Sequence, residues 1–256
     1  MNRIEELFGK KNKNVLNVYC TAGFPQLDST LEVMKALQDN GADLIELGMP
    51  YSDPLADGPV IQASGSKALE NGMTIARLFA QLTNFRSVIR VPVLLMGYMN
   101  PVLQYGFERF CSEAAALGVD GLILPDLPMY EFETEYGPIL KRYGLDFVFL
   151  VTPETSPERI SKVDSLSSGF LYAVSSSSTT GKDKNINDQK AYFARLFKMA
   201  LRNPILVGFG IKDKSTFEAA CQYANGAIIG TAYIKALEQA TDIGEATKTF
   251  LRTILS

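Results

Sequence analysis

Two carboxylates in the first quarter of the chain have the setting that acid–base chemistry needs. Glu46 interrupts an otherwise apolar run, Leu44-Ile45-Glu46-Leu47. A carboxyl group among such neighbours loses hydration, its pKa rises, and it can give and take protons near neutrality. The alternative is a glutamate satisfied by a structural hydrogen bond or a cation. Asp57 follows in Pro50-Tyr51-Ser52-Asp53-Pro54-Leu55-Ala56-Asp57-Gly58-Pro59, a segment whose prolines and glycine make a shaped loop. Taken alone, Asp57 reads equally well as a turn residue. Taken together, one acid on a strand and one on a loop occupy different surroundings and can hold different pKa values.

The sequence contains no histidine, which removes the commonest general base and the commonest metal ligand at once. Proton transfer must then rest on carboxylates, lysines or tyrosines. Cys20, Cys111 and Cys221 are widely spaced within apolar stretches and form no CxxC pair, the pattern of buried thiols in a reducing compartment. A net charge of -3 argues against nucleic acid as a main partner. It leaves room for an anionic substrate, since a few backbone N–H groups can hold a phosphate. Gly208-Phe209-Gly210 and Gly230-Thr231 are candidates for that task. The polar run from Ser175 to Lys184 reads either as a solvated connector or as a lid over substrate, with Thr180 and Gly181 at its hinge or tip.

The elements that must position these residues follow from apolar runs alternating with helical patterns, as in repeated βα units. Strands are predicted at Val15–Cys20, Asp43–Gly48, Val91–Met96, Val119–Leu124, Leu145–Val151, Phe170–Val174, Pro204–Phe209 and Gly226–Gly230. Their continuous apolar character suits parallel strands covered on both faces. A helix is predicted after the first strand, opened by Asp28 as N-cap, carrying Leu31, Met34 and Leu37 and stopped by Asn40-Gly41. Another carries Phe107, Phe110, Ala114 and Leu117, and a last one Ile243, Ala246, Phe250 and Ile254. Gly41-Ala-Asp43, Gly118-Val-Asp120 and Gly144-Leu-Asp146 form a weak repeat in which glycine ends a helix and the acid is expected to solvate the next strand's entrance.

An open doubly wound sheet shares these features, but eight units in 256 residues favour closure. The expected fold is a (β/α)8 TIM barrel forming one domain over 1–256, with an extra N-terminal helix. The N-terminus, Met1 to Phe8, is charged and amphipathic rather than a signal peptide, and no stretch approaches the roughly 18 apolar residues of a membrane span. A cytoplasmic enzyme without membrane contact is the expectation. In such barrels chemistry sits where strands end, which places Glu46, Asp57 and both glycine sites on one rim.

The segment from Glu46 to Pro59 closely resembles the characteristic stretch of the tryptophan synthase α-chain family, and the likeness extends through most of the chain. Asn17-Val-Tyr-Cys-Thr-Ala-Gly23, Met96-Gly-Tyr-Met-Asn-Pro101, Pro125-Asp-Leu-Pro128 and the two glycine sites fall where that family has its loops. The resemblance implies a lyase of tryptophan biosynthesis that splits indole-3-glycerol phosphate by retro-aldol cleavage into indole and glyceraldehyde 3-phosphate. It implies Glu46 and Asp57 as catalytic residues, with Tyr19, Ile61, Met96, Tyr172, Thr180 and Phe209 around the substrate. Gly181, Gly208, Gly210, Gly230 and Thr231 would lie at its phosphate. It implies no metal and no cofactor in this chain, pyridoxal phosphate belonging to a partner β chain in an α2β2 assembly. Asp53, Pro54, Asn100 and Pro101 resemble the surface that meets that partner. The chain departs from many members at Ser175–Gly181, where they carry an arginine and a Gly-Val-Thr-Gly ending, and at Phe24, where some have aspartate.

Two other readings compete. Another sugar-phosphate barrel enzyme would keep the glycine sites without needing the Glu46/Asp57 pair. A non-catalytic activator would keep a partner surface while losing its acids, and here both acids are present.

Overall fold

The computed structural model describes residues 2–174, 186–208 and 210–256. Its strands are β1 (Val15–Thr21), β2 (Leu44–Gly48), β3 (Val93–Met96), β4 (Gly121–Ile123), β5 (Asp146–Phe147), β6 (Leu150–Val151), β7 (Leu171–Val174), β8 (Ile205–Gly208) and β9 (Gly226–Ile229). All pair in parallel, in the order β5-β4-β3-β2-β1-β9-β8-β7-β6. The two ends of that order are neighbours in the chain. Between them Val148 N–H donates to Leu122 and Phe149 C=O accepts from Tyr172. The sheet therefore closes into a (β/α)8 barrel, as expected. β5 and β6 are halves of the single fifth strand predicted over Leu145–Val151, divided where the ladder passes from β4 to β7.

Alternation along each strand builds two cores. Leu16, Val18 and Cys20 of β1 face outward and pack with the surrounding helices. Val15, Leu44, Leu94, Ile123, Val148, Phe170, Tyr172, Leu206 and Ile228 form a separate cluster inside the barrel. The N-terminal helix, Arg3–Lys10, closes this interior from the end where strands begin. Asn2 caps it in a reciprocal box with Glu5, Ile4 is fully buried, and Phe8 meets Phe170 with ring centroids 6.3 Å apart.

The glycines of the Gly-x-Asp repeat all have positive φ at helix ends, so this part of the reading holds. The acids, however, do not solvate the strand entrances. Asp120 is buried, accepts the Val93 N–H at 2.7 Å, and is paired with Arg86 and, at 2.9 Å, with Arg3. Asp43 accepts from the Leu16 N–H at 2.8 Å and from Lys11 at 2.6 Å. The starts of β1 and β3 each present a backbone donor at the barrel's closed end, and a carboxylate from the next unit satisfies it, whereas Asp146 accepts from the Asn2 side chain.

Asp28 is not an N-cap either. It lies in a 3-10 turn, Leu27–Ser29, and the helix Thr30–Asp39 begins from Ser29, already in helical conformation, so no extended residue stands where a side chain caps. The helix Phe107–Leu117 buries Phe107, Phe110 and Ala114 as predicted, and all three cysteines are buried and free. The last helix, Ile243–Leu255, turns Thr247, Leu251 and Ile254 inward, with Ile243 and Phe250 partly buried beside them. Among the described residues no helix is long and apolar enough to cross a membrane.

Candidate active site

The ends of β1, β2, β3, β7 and β9 and the segments that follow them surround one pocket. It is lined by Tyr19, Glu46, Asp57, Gly58, Ile61, Met96, Tyr172, Gly210, Ile211, Ile228, Gly230 and Thr231. Register explains the convergence. Tyr19 pairs with Glu46 and Gly48 with Met96, while Tyr172 stands on β7, two strands from β9 with its Ile228. Asp57 arrives separately, at the end of the Pro50–Pro59 loop and immediately before the helix Pro59–Glu70, which contributes Ile61. Gly230 and Thr231 open the helix Thr231–Glu238, so the first N–H groups of that helix lie at the pocket's edge.

Nine residues singled out in the sequence thus meet around one space: Glu46, Asp57, Tyr19, Ile61, Met96, Tyr172, Gly210, Gly230 and Thr231. Thr180, Gly181 and Phe209 lie outside the described residues, as does the polar run 175–184. Gly208 ends β8 but is not in the pocket lining; a Cβ built on it would overlap the ring of Tyr172. Gly48 stands in the same relation to Tyr19. Both tyrosines lie flat over a neighbouring strand because that strand has no side chain there. Gly208→Ala is therefore expected to push Tyr172 aside, costing about 1–3 kcal/mol of stability as overpacking. A lowered Tm should accompany a loss of activity; a variant with unchanged Tm would show that the ring has room to move.

Burial sets the electrostatics. Glu46 is 0% exposed, and desolvation pushes its carboxyl up to about 8 against the opposing pull of a hydrogen bond from Asn17. Desolvation also raises half-buried Asp57, to about 6, against a hydrogen bond from the Tyr98 hydroxyl. Tyr98 is itself buried, and its oxygen accepts the Ala56 N–H at 3.1 Å, so it ties the Asp57 loop to the end of β3. The phenols of Tyr19 and Tyr172 are held far above their ordinary range, first by burial and then by nearby carboxylates. Near neutrality the pocket thus holds one protonated carboxylic acid and one carboxylate. Among the described residues no group of three or more Cys, Asp or Glu side chains is arranged to hold a metal ion.

Asn17 and Tyr98 are partners that sequence reasoning missed. Asn17 gave the same signal as Glu46, a polar residue inside an apolar strand. Tyr98 gave none, because its role depends on where the Asp57 loop folds.

Comparison with known proteins agrees with this geometry. The family model described as tryptophan synthase alpha chain matches residues 6–254. A tryptophan synthase alpha chain of Flavobacterium johnsoniae is 52% identical over 240 residues, covering 93% of this chain and 94% of the relative. That of Bacteroides thetaiotaomicron is 48% identical over 243 residues, 94% of this chain and 95% of the relative. Among solved structures, a tryptophan synthase alpha chain from Legionella pneumophila superposes with a TM-score of 0.89 at 34% identity, covering 99% of this chain and 96% of that one. The likeness runs nearly end to end in sequence and in backbone alike, and it places this chain in the tryptophan synthase alpha chain family.

Proposed function

We propose that Glu46 and Asp57 divide the chemistry of the tryptophan synthase α reaction, Glu46 carrying the proton and Asp57 holding the ring. The chain is a lyase of tryptophan biosynthesis that splits indole-3-glycerol phosphate into indole and glyceraldehyde 3-phosphate. The bond to be broken joins indole C3 to the glycerol carbon that bears a hydroxyl. Protonation at C3 makes the ring an iminium ion, able to receive an electron pair. Loss of the hydroxyl proton then forms the aldehyde C=O, the C–C bonding electrons return to the ring, and neutral indole departs.

Glu46 is suited to both proton transfers. With its pKa near 8 it is an acid at rest, and once it has protonated C3 its carboxylate is basic enough to take the hydroxyl proton. It ends as it began. Asp57, ionised above about 6, accepts the indole N–H and offsets the iminium charge. Tyr19, Ile61, Met96 and Tyr172 would pack on the ring, and the phosphate would sit at Gly210, Gly230 and Thr231. The start of the helix Thr231–Glu238 adds favourable dipole charge there. The partner is a β chain carrying pyridoxal phosphate, met through the loop that holds Asp53, Pro54 and the 89% exposed Leu55.

The observation that carries this reading is that two carboxyl groups from different segments converge on one pocket, Glu46 fully buried and Asp57 half-buried, so that desolvation raises Glu46 further than Asp57. Indole release without added metal should show a plateau in kcat/KM between about pH 6 and 8. Below it Asp57 gains a proton and loses its charge; above it Glu46 loses the proton it must donate. A rate still climbing through pH 9 would remove Glu46 as the acid. A purified protein inactive even with its β chain would favour another sugar-phosphate chemistry.

A further inference from the structure

Glu46 has one carboxyl oxygen bound and one free. The Asn17 Nδ2–H donates to Oε1, whereas Oε2, and the Oδ1 of Asn17 itself, have no partner among the described residues. Both side chains are fully buried. Their meeting follows from register: Tyr19 stands opposite Glu46 and Asn17 opposite Leu44, so Asn17 reaches Glu46 diagonally from the layer beneath. Its neighbours there are apolar, for Leu44 and Ile228 stand opposite Asn17 on the two flanking strands and both belong to the interior cluster. An amide there gives up its hydration and leaves its carbonyl unsatisfied, a cost that packing alone gives no reason to carry.

A carboxyl group that accepts an N–H on one oxygen keeps its proton on the other, because an O–H on Oε1 would face the donor. We propose that Asn17 is the positioning residue for Glu46, fixing its carboxyl through Oε1 and reserving Oε2 as the oxygen that exchanges protons with the substrate. This inference rests on the reading of Glu46 as proton carrier.

The groups around Glu46 allow a clean test. β1 brings Tyr19 into the pocket, with Cys20 close by on the strand's outer face, β7 brings Tyr172, β3 brings only Leu94 and Met96, and Asp57 lines the same pocket. Both phenols titrate well above pH 10, Cys20 is pushed up to about 12, and Asp57 lies near 6. The alkaline limb of the rate profile therefore reports Glu46. Asn17 donates to the carboxylate and so favours it; removing that donor raises the Glu46 pKa.

Asn17→Leu is expected to lower kcat for indole release about 10-fold at pH 7, through loss of a fixed proton donor, with KM changed less than about twofold. The alkaline limb should move up by about one pH unit. Asn17→Ala removes the same donor without adding volume and should give the same shift, so the test survives if the leucine variant fails to fold. An alkaline limb that stays in place in either folded variant, whatever its kcat, overturns the positioning role. Wild-type turnover in Glu46→Gln would instead overturn the reading beneath it.

Discussion

Replacing Glu46 with glutamine should lower kcat for indole release by about 10³-fold, the middle of the range for a positioned acid–base group. The substitution preserves shape and removes the exchangeable proton. Binding of a glycerol-phosphate analogue should survive, because no part of the proposed phosphate site rests on Glu46. The same variant should be more stable than its parent. The folded-state pKa of Glu46 lies at about 8, above its ordinary 4.5. Below 4.5 the acid is neutral in both states and costs nothing. As pH rises from there the unfolded chain ionises first, so relative stability is lost until pH passes 8. At pH 8 the penalty is about 4 kcal/mol, at ~1.4 kcal/mol per pH unit. Urea unfolding of parent and variant should give nearly equal stabilities near pH 5 and a widening gap in the variant's favour towards pH 8. A gap that does not grow with pH would show that Glu46 ionises freely.

Asp57→Asn should cost about 10²–10³ in kcat, the effect of removing one preorganised charge from a developing cation. Asparagine can still accept from the Tyr98 hydroxyl, so the loop should remain tied to β3. The acid limb near pH 6 should vanish from the remaining activity, because the group that titrates there is gone. An unchanged rate would reduce Asp57 to the turn residue that its sequence context alone permits.

Much of the barrel was legible because each strand is a continuous apolar run, and parallel strands covered on both faces need that pattern. The division of the fifth strand was not, since the run from Phe147 to Val151 is apolar throughout and only closure decides where pairing changes sides. The strand-entry acids were placed correctly and explained wrongly. Local sequence cannot show that Arg3, from the N-terminal helix, and Arg86 both reach Asp120. Glu46 was legible as a charge in an apolar strand, and Asn17 carried the same mark one layer below. Gly208 pointed to an anion in the sequence; in three dimensions its missing side chain makes room for Tyr172.

The account depends most on Glu46 being a neutral acid while Asp57 is charged. Infrared difference spectra between the wild-type chain and Glu46→Gln, recorded from pH 5 to 9, observe that state without turnover. The protonated-carboxyl C=O band should be present at pH 7, absent from the variant, and lost from the wild type as pH passes about 8. A wild-type chain with no such band at pH 7, its Glu46 already carboxylate, would contradict the account.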